Sequence, residues 1–204
     1  MKILITAGPT HEYIDQVRYL ANASSGMMGY ALTSAAKKAG HKVVLVSGPT
    51  NLAAPQGVQV INVTSADEMH QAVKDLFIDC DILIMAAAVS DYTPLNYYDG
   101  KHKKSPKQLT LKLKPTIDIL KEMGGRKGNR ILIGFALETS DGRENALRKL
   151  HDKKLDYVVL NSPDAFGADE SSVEIYNEKG LIKRFDKSSK KNISEFILSL
   201  LKSK

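Results

Sequence analysis

The sequence has no tryptophan and one cysteine in 204 residues. A lone thiol excludes an intrachain disulfide. Cys80 stands in FIDCDILIM, at a helix–strand junction, and reads as a buried, inert thiol rather than a nucleophile. No apolar run approaches the roughly 18 residues of a membrane helix. The opening MKILITAGPT has too short an apolar part for a signal peptide and runs into a Gly-Pro turn, so a cytoplasmic N-terminus is expected. His11 has no second histidine nearby, which argues against zinc. The G-x-G-x-x-G dinucleotide fingerprint is missing after the first strand, and so is the G-x-x-x-x-G-K-[ST] phosphate loop. Tyr97 and Lys101 have reductase-like Y-x-x-x-K spacing, but Gly100 between them argues against the helix that pair needs. The net charge is +6. Excess lysine can bind nucleic acid or attract phosphorylated small molecules. Its clusters, 101–107 and 187–191, sit in no visible nucleic-acid motif, and the second reads as solvated surface.

What is present is an alternation of buried strands and amphipathic helices. Strands are predicted over Lys2–Ala7, Lys42–Gly48, Val58–Val63, Asp81–Ala88, Arg130–Ala136 and Tyr157–Asn161. A helix follows Gly26, a capping-box pattern at Ser65–Glu68 opens a second, and Asp141 can cap a third. A last helix carries Ile193, Phe196, Ile197, Leu200 and Leu201 on one face. Residues 89–108 form a long polar loop, Leu109–Lys114 alternates as a half-exposed strand, and Val173–Phe185 reads as a hairpin around Asn177–Gly180. The pattern predicts an α/β chain: one domain over 1–204, a Rossmann-like parallel sheet flanked by helices, with a small antiparallel lobe from about 109–114 and 173–185.

Such sheets bind ligands at the carboxyl ends of their strands. Those ends carry Gly8-Pro9-Thr10, Ser47-Gly48-Pro49, Ala86-Ala87-Ala88 followed by Asp91, and Gly134-Phe135. Gly48-Pro49 reads as a turn. The alanines allow a flat ligand to approach the backbone, and Asp91 can accept from it. Between strand and helix lies a long insert with His11, Glu12, Asp15, Arg18 and Asn22. Arg18 can grip a phosphate or carboxylate, or pair with Asp15. Asn22 can bond an acyl group, or shape a turn. Asn22-Ala-Ser24-Ser25-Gly26 is either an ordinary cap or an anion-receiving helix start. Lys101, Lys103 and Lys104 are a solvated run or a lid that brings lysine to a polyphosphate. Lys149 and Lys153, one helical turn apart, clamp phosphates or face solvent.

Together AGPTHEYIDQVRYLANASSGMMG, AAAVSDY, the lysine run, IDIL and GFALET resemble the phosphopantothenoylcysteine synthetase (phosphopantothenate–cysteine ligase) family, over nearly the whole chain and in order. In many bacteria that domain follows a decarboxylase; the chain begins at the synthetase strand, as a stand-alone form would. The resemblance implies that CTP activates the carboxylate of 4'-phosphopantothenate as an acyl-cytidylate, releasing pyrophosphate, and that the amine of L-cysteine then displaces CMP. It implies Mg²⁺ and a homodimer, with no nucleic-acid or membrane partner. By motif, Asn22 holds the acyl-nucleotide, Arg18 orients substrate, and Lys101 stabilises charge in nucleotidyl transfer. Met85, Ala86, Ala87, Asp91, Ile117, Asp118, Ile119, Leu120 and Phe135 border the nucleotide, and Lys149 and Lys153 hold its triphosphate. Gly8, Pro9, Thr10, Ser24, Ser25 and Gly26 form the phosphate and substrate loop. His102 replaces an apolar residue of the lysine motif, and Ile117 replaces a proline. A dinucleotide-dependent reductase and a non-catalytic nucleotide- or nucleic-acid-binding protein are the competing readings.

Overall fold

Six apolar runs become parallel strands: β1 (Lys2–Ala7), β4 (Lys42–Ser47), β5 (Gln59–Asn62), β6 (Ile82–Met85), β9 (Ile131–Leu137) and β10 (Tyr157–Asn161). The computed structural model describes residues 1–138, 140–161 and 170–203; Thr139, the last residue of GFALET, lies outside the described residues. In space the strands run β5-β4-β1-β6-β9-β10. Counted among the parallel strands alone, that is the 3-2-1-4-5-6 order of a doubly wound sheet, and the order reverses between β1 and β6. The hairpin β11 (Glu170–Asn177) and β12 (Gly180–Ser189) joins antiparallel beside β10, completing eight strands.

Strands buried on both faces explain why these runs are continuously apolar. On one face Leu4, Leu83, Leu132 and Val158 meet α2 (Ala66–Phe77), α3 (Ile119–Gly125) and α4 (Gly142–Asp152). On the other, Ile3, Ile5, Ile84, Ile133 and Val159 meet α1 (Met27–Lys38) and α5 (Lys190–Ser199). Each such side chain contributes about 1.5–3 kcal/mol by leaving water. Gly29 sets the fit of α1 on β1, since a Cβ there would lie 2.4 Å from the Ala7 Cβ. That approach fixes where the helix begins. Among the described residues no helix is long and apolar enough to cross a membrane.

The antiparallel pieces differ from the expectation. Residues 173–185 are not in a lobe with 109–114; they extend the main sheet. Only Leu113–Pro115 is a strand (β8), and it pairs with Tyr92–Pro94 (β7) inside the stretch read as loop. Leu109, Leu111 and Leu113 alternate as a strand does, but all three stay exposed, so the alternation marks a face with nothing packed on it. The insert after β1 folds as a ribbon, β2 (Glu12–Tyr13) with β3 (Tyr19–Leu20). Asp141 stands at the start of α4 in a left-handed conformation, and its side chain does not cap. Ser65 does cap α2, accepting from Glu68 N, while Glu68 returns the bond to Thr64 N. Cys80 is buried, and burial pushes its thiol up to about 11, as expected of an inert residue.

Candidate functional site

A cleft of about 560 Å³ lies over the carboxyl ends of β1, β6 and β9, where the strand order reverses. Its floor is the end of β6 and the residues after it, Met85 to Val89, with Phe135 and Ala136 of β9 alongside. β6 stops at Met85 because the next residues turn across β1: Thr6 Oγ1 accepts from Ala87 N at 3.1 Å, and Gly8 O accepts from Ala88 N at 2.9 Å.

One wall is the start of α1. Gly26 caps it at φ 78° with no side-chain bond to the first turn. Ser24 Oγ accepts from Gly26 N, and Ser25 Oγ lies 3.5 Å from Met27 N. Residues 22–25 are exposed, and the first turn opens onto the cleft with its positive dipole end. Asn22 ties this wall to the floor, its Nδ2 donating to Val89 O at 3.0 Å.

The opposite wall comes from the other face of the sheet. Thr116 Oγ1 donates to Ser90 O at 2.6 Å, which brings Ile117 to Leu120 to the cleft. Asp118 caps α3 by accepting from Lys121 N, and both its oxygens take the Lys153 ammonium, at 2.9 and 2.8 Å. Burial raises the Asp118 carboxyl, but Lys153, the Lys121 N–H and Lys149 outweigh it and hold the pKa below the ordinary value. Lys149 donates to Phe135 O. Burial, then the nearby Lys153 charge, push the Lys149 ammonium below its ordinary range, against the pull of Asp118, Glu138 and Asp91. Gly124 makes this wall possible, because a Cβ there would fall 2.1 Å from Lys153 O. α3 therefore packs directly on the end of α4 that carries the two lysines.

The cleft thus gathers Asn22, Ser24, Ser25, Gly26, Met85, Ala86, Ala87, Asp91, Ile117, Asp118, Ile119, Leu120, Phe135, Lys149 and Lys153. Gly8, Pro9 and Thr10 do not line it. All three are buried beneath the floor, and Thr10 Oγ1 is taken up by Ser90 N. Arg18 and Lys101 do not line it either. Arg18 pairs with Asp15 at 2.6 Å and donates to His102 O at 2.9 Å. Asp15 is fully buried and also accepts from the backbone N–H of Val17, Arg18 and His102. Burial alone would raise its carboxyl; those three N–H groups and the Arg18 charge bring it down to about 2. Gln16 N reaches Gly100 O, and His102 stacks on Tyr98 with ring centroids 4.1 Å apart. The insert is a clamp on residues 98–102, and the side chain of Lys101 is exposed beyond it.

Asn161, Ser171 and Lys190 also line the cleft. No motif flagged them. The one sequence signal is Ser171, a hydroxyl at an inward position of a strand whose next inward residues are Val173 and Ile175.

The chain matches the DNA/pantothenate metabolism flavoprotein C-terminal domain family over residues 1–204. It is 45% identical over 201 residues to the coenzyme A biosynthesis bifunctional protein CoaBC of Bacillus subtilis (strain 168), covering 96% of this chain and 50% of that protein. The chain thus spans about half the length of that curated relative. The crystal structure of the C-terminal domain of a CoaBC protein superposes with a TM-score of 0.85 at 38% identity, covering 98% of this chain and 93% of that one. A Cab2 mutant in complex with phosphopantothenate-cysteine shares the fold, with a TM-score of 0.77 at 16% identity over 99% of this chain and 85% of that one.

Proposed function

Given that the chain belongs to the DNA/pantothenate metabolism flavoprotein C-terminal domain family, we propose that it joins 4'-phosphopantothenate to L-cysteine through an acyl-cytidylate made from CTP, in coenzyme A biosynthesis. The observation that carries this reading is the cleft itself. Two lysines with one paired carboxylate face a helix start across a floor of alanines, at the switch point of the sheet. That places two ammonium groups in a concave site, beside Asp118 and within reach of Asp91, as a substrate with several phosphates requires.

In this mechanism Lys149 and Lys153 hold the triphosphate, and the base lies by Phe135 over Ala86 and Ala87, with Asp91 accepting from it. The substrate carboxylate attacks the α-phosphorus and pyrophosphate departs, its growing charge met by the lysines. Asn22, at the junction of floor and helix start, donates to the acyl oxygen of the intermediate. The cysteine amine then attacks the acyl carbon and CMP leaves. Mg²⁺ enters as the counter-ion of the nucleotide: among the described residues no three His, Cys, Asp or Glu converge to cage a cation. Lys101 joins only on rearrangement of the clamped loop that carries it. We further propose a cytoplasmic homodimer, supported by exposed Tyr13, Val17, Tyr19, Tyr92, Tyr97 and Tyr98 on the insert ribbon and the loop beside it.

Pyrophosphate release tests the reading, with 4'-phosphopantothenate, cysteine and Mg²⁺, in parallel with CTP and ATP. Release that depends on the acid supports the ligase, and the faster nucleotide is the natural one. Folded protein that releases none with either overturns it.

A further inference from the structure

Gly8-Pro9-Thr10 leaves β1 beneath the cleft floor and does not line the cleft, yet its contacts lead to a residue that does. Pro9 pairs in parallel with Ala88, and Ala88 O accepts from Thr10 N at 3.4 Å. The Thr10 side chain, fully buried, then holds the next stretch of chain. Its Oγ1 accepts from Ser90 N at 3.0 Å, and its carbonyl accepts from Ser90 Oγ at 3.5 Å. Ser90 is itself buried.

Ser90 stands directly before Asp91. A peptide unit is planar, so a bond at either end restrains the whole plane, and the planes on both sides of a Cα set where its side chain leaves the backbone. Three successive planes are held here. In the unit 89–90, Val89 O accepts from Asn22 Nδ2 at 3.0 Å and Ser90 N donates to Thr10. In the unit 90–91, Ser90 O accepts from Thr116 Oγ1 at 2.6 Å. In the unit 91–92, Asp91 O accepts from Thr116 N at 2.9 Å. The backbone of Asp91 is thus fixed from beneath the floor, from the α1 side and from the opposite wall. Its carboxylate is left open. It is exposed on the cleft, it pulls on the Lys149 ammonium, and among the described residues it accepts no hydrogen bond. An acceptor held by its backbone and open at its tip is preorganised for a donor that a ligand brings.

We propose that Thr10 and Thr116 are positioning residues for Asp91: gripping Ser90 from opposite sides, they set the direction from which its carboxylate accepts from the nucleotide. Neither hydroxyl touches substrate. This rests on the reading of the cleft as a nucleotide site and gives the Gly8-Pro9-Thr10 turn its part in it.

Calorimetry of CTP on the full chain tests this through a double-mutant cycle of wild type, Thr10→Val, Asp91→Ala and the double variant. One charge-assisted hydrogen bond corresponds to about 10- to 100-fold in affinity, and Asp91→Ala is expected to weaken CTP by about that factor. Thr10→Val keeps the branched shape but removes the acceptor of the Ser90 N–H. It misdirects the contact without deleting it, so CTP is expected to bind about 3- to 10-fold more weakly, with 4'-phosphopantothenate affinity within about twofold. Thr10→Ser, which keeps the hydroxyl, is expected to restore most of the loss. In the double variant the Thr10 change is expected to add less than about twofold, because a residue that acts through Asp91 has nothing left to position. A threonine that only supports the fold weakens CTP by the same factor with and without Asp91, and that additivity overturns the proposal. So does Thr10→Val with wild-type affinity. If Thr10→Val does not fold, Thr116→Val, at a partly buried position, runs the same cycle, and additivity or wild-type affinity there overturns the proposal equally. Wild type that binds neither CTP nor ATP overturns the nucleotide reading, and the role of the two threonines with it.

Discussion

Two carboxylates, Asp118 and Asp15, each hold a cation, and the difference between them separates a site from a brace. Asp118 carries one cation, Lys153, with Lys149 nearby and shared among Asp118, Glu138 and Asp91, and Asp118 and both lysines face a cavity. Asp15 is saturated: three backbone N–H groups and Arg18 surround it, it is fully buried, and it does not line the cleft. Charge paired on one side and open to a cleft on the other is placed to meet a ligand. Charge neutralised in place holds chain to chain. Both clusters are carboxylate–cation pairs in segments that match the family, and the sequence alone does not tell them apart.

The comparison breaks most visibly if the cleft's two lysines are removed. Lys149→Met with Lys153→Met should cut pyrophosphate release by about 100- to 10,000-fold, since each charge-assisted phosphate contact is worth about 1.5–3 kcal/mol. The thermal midpoint should move by only a few degrees. A double variant that keeps its rate would make these lysines ordinary surface charge.

The clamp predicts the opposite pattern. Arg18→Gln removes the bonds to Asp15 and to His102 O but leaves the cleft lining intact. A rate loss of about tenfold or less is expected, together with faster proteolysis between residues 95 and 112. The arginine side chain is 43% exposed, so its ion pair contributes modestly. A loss as large as that of the double lysine variant, with unchanged proteolysis, would return Arg18 to the substrate.

How much of this was readable depends on how local each signal is. Strands buried on both faces announce themselves, which is why β1 and β10 fall where the apolar runs predict and β4 differs only at its last residue. The alternation at 109–114 shows only that a strand is permitted there; pairing partners lie far away in sequence, and β8 shrinks to three residues beside β7. Lys149 and Lys153 were legible from helical spacing. Lys190 was not, because its place depends on a strand slip and a left-handed residue that leave no pattern in the sequence. Arg18 was legible as two alternatives, and the pairing with Asp15 is the one seen. Gly8, Pro9 and Thr10 sit at a strand's carboxyl end as expected, but the turn after β6 covers them.

The smallest effect is the one with pH, and its sign is fixed by Asp15. Folded, the carboxyl titrates at about 2, because the Val17, Arg18 and His102 N–H groups and the Arg18 charge outweigh the cost of burial. Unfolded, it returns to the ordinary value of about 3.9. Between those values the unfolded chain binds the extra proton, so stability falls as pH falls. The contribution is complete above about pH 4 and is lost as the pH descends through the folded value. The same proton removes the charge that Arg18 and the His102 N–H meet, so clamp and fold should weaken over one window. Asp118 and Glu122, both held below their ordinary values, add to the same acid limb. Urea midpoints from pH 6 down to about 2.5 measure the whole slope, and Asp15→Asn should flatten part of it. The carboxyl carbon shift of Asp15, followed by NMR, isolates this residue. Titration near 4 in the folded protein would mean the carboxylate is not saturated, and the distinction between brace and site would lose its basis.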